Sequence, residues 1–65
     1  MNIVLTRTAE SGRLVRGITL NEIEETIKEG IKTIERKGIL ASRKNIQILY
    51  NKKNDLFTIK MVMNK

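Results

Sequence analysis

Apolar and polar positions along this 65-residue chain repeat with a helical period in the first half and a strand period in the second. The helical period is sharpest after Ile18: Leu20, Ile23 and Ile27 share one face, while Glu24, Glu25 and Lys28 fall opposite. Thr19-Leu20-Asn21-Glu22 reads as a capping box, in which the Thr19 hydroxyl accepts from the Glu22 amide and the Glu22 carboxylate reaches back to the Thr19 amide. Ile18 and Ile23 flank it as a hydrophobic staple. Upstream, Asn2 to Thr6 predicts a short strand, since Ile3, Val4 and Leu5 suit buried strand positions. Thr8 is placed to cap a first helix running to about Arg16, with Gly17 as its left-handed terminator. Gly12 in the middle of that helix costs ~1 kcal/mol relative to Ala, so the helix must lean on tertiary contacts.

In the second half, Ile46, Ile48 and Tyr50 alternate with Gln47 and Leu49, and Phe57, Ile59, Met61 and Met63 alternate with Thr58 and Lys60. Asn51 to Asp55 forms a polar turn between them, which predicts an antiparallel hairpin. The expected fold class is α+β, with two N-terminal helices packed on one face of a small three- to four-stranded antiparallel sheet. Residues 1–65 form a single domain on this reading. The expected core holds Val4, Leu20, Ile23, Ile27, Ile46, Ile48, Phe57, Ile59 and Met61. The end of the second helix is open to two readings. Ile27, Ile31 and Ile34 continue the helical spacing to a stop at Gly38, or Gly30 caps the helix and residues 31–36 are a strand.

Composition narrows the chemistry. Nineteen residues are Ile, Leu or Val and only Tyr50 and Phe57 are aromatic, which suffices for two thin layers of structure. Without Cys or His, disulfides, thiolate or histidine metal sites and histidine base catalysis are excluded. No metal and no cofactor is expected. The longest apolar runs are three residues, far below the ~20 of a membrane span, so a cytoplasmic protein away from membranes is expected.

The net charge of +6 favours anionic partners, and it is unevenly spread. Residues 36–65 hold eight cations against Asp55 alone. Arg36-Lys37, Arg43-Lys44 and Lys52-Lys53 form basic pairs, joined by Lys60 and Lys65, that could hold phosphates along the hairpin sheet. Such pairs also serve to keep strand edges soluble. Arg43, Lys44, Lys52, Lys53 and Lys60 are the nucleic-acid-binding candidates. Arg13 and Arg16, three apart on the first helix, could clamp a phosphate or pair with Glu10 and the second helix's glutamates. Tyr50 reads as a core-edge residue more readily than as a general acid. The glutamates of the second helix are accounted for by capping and solvation, and Ser11 and Ser42 have no activating base in the pattern.

Thr8 to Ile18 resembles a stretch of small RelE-like toxin domains, in particular a BrnT-like group carrying His-Ala-x-x-Arg followed by Arg-Gly-Ile and an acidic amphipathic helix. Ala9 and Arg16-Gly17-Ile18 match, and Thr19 to Glu25 is similar to the helix that follows. Thr8 stands where the family has His, and Gly12 where it has Arg, with Arg13 nearest. The resemblance implies that the second helix stops at Gly30 and that residues 31–36 are a strand. It also implies metal-independent RNA chemistry. Arg13, Arg16 and Lys44 are our catalytic candidates for groups near a scissile phosphate. The expected function is accordingly a toxin-like domain acting on RNA or the ribosome, its activity put in question by Thr8. A non-catalytic basic nucleic-acid-binding protein and a module docking an acidic protein such as an antitoxin are the alternatives. A homodimer is left open.

Overall fold

The computed structural model describes residues 1–65. Strand β1 (Asn2–Leu5) leads into helix α1 (Arg7–Arg16) and helix α2 (Leu20–Glu29), followed by β2 (Ile31–Glu35), β3 (Gly38–Arg43), β4 (Ile46–Lys53) and β5 (Leu56–Asn64). The strands form one five-stranded sheet in the order β1-β5-β4-β3-β2. This corrects the expected three- to four-stranded antiparallel sheet. Its strands make up 49% of the chain, and β1, which precedes the helices, pairs in parallel with β5, so the sheet is mixed. β3 had no alternating signature because it is partly covered on both faces, with only Ala41 fully buried.

Both helix starts are fixed by hydroxyl caps. The capping box at Thr19 forms as read: the Glu22 amide donates to Thr19 Oγ1 at 3.1 Å and the Thr19 amide donates to Glu22 Oε1 at 2.8 Å. The first helix starts two residues earlier than expected, capped by Thr6 and not Thr8. Thr6 Oγ1 accepts from the Ala9 amide at 3.2 Å. Gly17 ends α1 in the left-handed conformation (φ 68°, ψ 28°).

Gly30 ends α2 and the chain continues as strand, but its backbone is extended (φ −74°), so no left-handed cap is involved. Glycine is required there for space: a Cβ would sit 2.4 Å from the Thr26 carbonyl oxygen and 2.8 Å from that of Ser42. The left-handed requirement falls instead on Gly38 (φ 147°), whose added Cβ would meet the Tyr50 oxygen at 2.7 Å.

The helices cover one sheet face. Ile23, Ile27, Ile46, Ile48, Phe57 and Ile59 are buried there as expected, with Ala9, Ile18, Ala41, Tyr50 and Val62. Three expected core residues are not inside: Val4, Leu20 and Met61 are 50%, 51% and 41% exposed. Val4 lies on the opposite face of β1 from Ile3 and Leu5. On α2, Thr26 fills the position nearer the sheet, its hydroxyl donating to the Glu22 carbonyl at 2.7 Å.

Met61 is displaced by a β-bulge. Tyr50 pairs with Ile59 but Leu49 pairs with Met61, leaving Lys60 as an extra residue in β5. Past the bulge the alternation changes phase, so Val62 turns inward while Met61 and Met63 turn to the open face. Thr6 closes the irregularity: its amide donates to the Ile59 carbonyl at 3.0 Å and its hydroxyl donates to the Lys60 carbonyl at 3.2 Å.

Candidate nucleic-acid interface

The strand registers divide the candidate cations between the two ends of the sheet. The β2–β3 and β4–β5 turns lie at one end, and the β3–β4 turn at the other. Arg43 and Lys44 therefore stand about 25 Å from Lys52 and Lys53, the length of an eight-residue strand at ~3.3 Å per residue. Arg43 is occupied: its guanidinium reaches Glu25 at 3.6 Å and Glu29 at 3.3 Å, stitching α2 to β3. Lys44 holds φ 56° in the tight β3–β4 turn.

At the other end a denser group assembles. Lys60, re-aimed by the bulge, donates from Nζ to the Lys37 carbonyl at 2.7 Å. That bond draws the Arg36-Lys37 turn toward β5. Lys52 stands at the same end of the sheet on β4 but turns to the helix side, its ammonium 5.4 Å from the centroid of Phe57, whereas Lys53, next along the strand, turns to the open face. Five cations thus share this end of the sheet with two carboxylates, Glu35 and Asp55, and Asp55 already accepts from Asn2 Nδ2 at 3.2 Å. Arg36-Lys37 is noticeable in the sequence as a basic pair, yet only the fold places it with Lys52, Lys53 and Lys60. The signal that could have found it is the bulge, which strict alternation hid.

The cluster borders a depression of about 380 Å³ on the open sheet face, lined by Leu40, Leu49, Met61 and Met63 with Glu35, Arg36 and Lys37 at its rim. Leu40, Leu49 and Met61 lie side by side across three strands. No aromatic side chain is available there for stacking on a base. Phe57 and Tyr50 are both on the helix side, their ring centroids 5.8 Å apart. Burial pushes the Tyr50 hydroxyl above its ordinary pKa, so the phenol stays neutral through the physiological range and behaves as a core residue.

Of the proposed catalytic trio, Arg13 and Arg16 lie at the end of α1, which packs on β5 and β1, and Lys44 lies in the β3–β4 turn. Arg13 donates to both carboxylate oxygens of Glu10, at 2.7 and 3.2 Å, and to the Ile18 carbonyl at 3.4 Å. Arg16 donates to the Gly12 carbonyl at 3.1 Å. Both guanidiniums therefore brace the helix end and the turn into α2. The carboxylates of α2 are also engaged: Glu22 in its capping box, Glu24 with Lys28 at 3.0 Å, and Glu25 and Glu29 with Arg43. The hydrogen bond and charge of Lys28 hold the Glu24 carboxyl below its usual pKa.

No helix is long and apolar enough to cross a membrane. Comparison with protein-family models, with curated proteins and with solved structures finds no match to this chain.

Proposed function

We propose that the protein binds the phosphate backbone of RNA, without cleaving it, through the basic end of its sheet. The observation that carries this reading is the Lys60–Lys37 bond, which fastens Lys60 to the Arg36-Lys37 turn at the end of the sheet where β4 also ends in Lys52 and Lys53. Cations so placed release counterions on binding, and this supplies most of the affinity of sequence-independent contacts. The lack of an open-face aromatic argues for backbone contact over base stacking. Binding without turnover is favoured because Arg13 and Arg16 are committed to Glu10, Ile18 and Gly12. A ribonuclease of the RelE-like kind is the narrower proposal, and it requires those arginines to leave their present partners.

The test is fluorescence anisotropy with a single-stranded RNA oligonucleotide across a salt series. Five phosphate contacts predict a log–log slope of about −3.5, at ~0.7 per contact on single strands. Lys52→Gln with Lys53→Gln should flatten it by about 1.4. Binding that is absent at low salt, or indifferent to salt, refutes the proposal. The apolar depression favours one second reading: an acidic amphipathic protein segment, its apolar side on Leu40, Leu49 and Met61 and its carboxylates on the rim. Leu49→Gln would then weaken protein capture and leave RNA binding unchanged.

A further inference from the structure

We infer that β2 is a self-association edge, joining two copies of this chain antiparallel about a two-fold axis at Thr33. β2 is the outermost strand of the sheet and pairs only with β3, so its other side carries unpaired backbone amides and carbonyls. All five of its residues are exposed, including Ile31 at 77% and Ile34 at 88%. It has no proline and no bulge, and Lys32 is the only basic residue guarding it. In a protein of net charge +6 this strand is neutral, with one Lys and one Glu.

The strand's own sequence selects the occupant and the register. A two-fold axis perpendicular to the sheet keeps both pairs of helices on one face, and it requires paired residues to share a face. Three central registers satisfy that. Centring on Lys32 sets Lys32 against its own copy, and centring on Ile34 sets Lys32 against the other chain's Arg36. Centring on Thr33 opposes no like charges. It sets Thr33 against Thr33, Lys32 against Ile34 and Ile31 against Glu35, so each exposed Ile34 packs along a lysine stem.

The same register brings Arg36 of one copy opposite Gly30 of the other, beside the negative end of α2 with Glu29 in its last turn. The complementarity is reciprocal, as an isologous contact demands, and it closes at two copies. Pairing β2 with the β1 edge of another copy would instead propagate without closure. Lys52, Lys53 and Lys60, on β4 and β5, stay clear of the contact. A five-residue edge buries less than a standard stable interface, so the dimer is a reversible one.

Sedimentation velocity of the full chain over a concentration series should show a reversible monomer–dimer equilibrium. Ile34→Lys, at a solvent-exposed position, should raise the dimer dissociation constant at least about tenfold while leaving the circular dichroism unchanged. The chain has no native cysteine, so register is read by oxidation. Thr33→Cys should form a disulfide-linked dimer at least tenfold faster than Ile31→Cys, because residue 31 lies ~13 Å from its own copy in this register, beyond disulfide reach. A chain that stays monomeric to about 1 mM overturns the inference. So does a dimer that Ile34→Lys leaves intact, or one in which the two cysteines link at equal rates.

Discussion

Replacing Gly12 with Ala sets two effects of opposite sign against each other. In a helix interior Ala is favoured over Gly by about 1 kcal/mol, from chain entropy and propensity. Against this, a Cβ at Gly12 would stand 2.9 Å from the Val62 carbonyl oxygen and 3.8 Å from its carbon. Carbon–oxygen contacts settle near ~3.4 Å, so about half an ångström must be found. Val62 cannot supply it easily, being held opposite Ile48 in the β4–β5 ladder and itself 3% exposed. The helix must lift instead, which loosens Ala9 where it is fully buried one turn earlier. Overpacking of this kind costs about 1–3 kcal/mol, so the net effect is a loss of roughly 1 kcal/mol. For a domain of this size that lowers Tm by about 4–8 °C. The assay is thermal and urea denaturation followed by circular dichroism, with an unchanged m-value showing that the cost is native-state strain. Gly17→Ala is the control, since it faces open space and is penalised only by its left-handed φ of 68°. A Gly12→Ala variant with a higher Tm than the parent would show that the helix–strand approach is looser than described.

Thr6→Val removes both a helix cap and the hydroxyl that binds the Lys60 carbonyl, and should cost about 1–2 kcal/mol in urea denaturation, while Thr6→Ser should recover most of it. Gly38→Ala should destabilise the protein and not be silent, because its φ of 147° and the Tyr50 oxygen at 2.7 Å both oppose a side chain; an unchanged urea midpoint would contradict this. The Glu24 carboxyl should titrate by NMR below an ordinary glutamate, and Lys28→Gln should return it toward normal. Because its folded pKa is lowered, the stability it contributes is present above the unfolded value and fades as pH falls through the folded one.

The parts of this fold legible in the sequence are those governed by neighbours in the chain. Thr19 and Glu22 announce the second helix because a capping box is complete within four residues, and Gly17 and the polar turn before Leu56 are equally local. What stayed hidden depends on distant partners. The parallel pairing of Asn2–Leu5 with β5 is set by where the helices return the chain, not by any pattern in those four residues. Gly38–Arg43 is covered on both faces, which erases the period of two. Ile31 and Ile34 looked like a helical face because their apolar side chains, spaced by three, lie exposed on an edge instead of buried in a core. The basic cluster was half visible: Arg36-Lys37, Lys52-Lys53 and Lys60 were grouped with Arg43-Lys44, but the strand registers divide those pairs between the two ends of the sheet, and the Lys60–Lys37 bond depends on a residue that β5 holds out of register.

That extra residue is dispensable to the core. If Lys60 were deleted, Ile59 would still face Tyr50, Met61 would still face Leu49 and Val62 would still face Ile48, now in an uninterrupted ladder. The inward and outward sets would be unchanged, and the pairing with β1 ends at Ile59, before the gap. A 64-residue version of the chain should therefore keep its hydrophobic interior. It would lose the carbonyl that receives the Thr6 hydroxyl and the ammonium that reaches the Lys37 carbonyl. A single codon thus separates the scaffold from the fastening of its charged end, and a shortened chain that folds but no longer gathers its lysines is the form that separation would take.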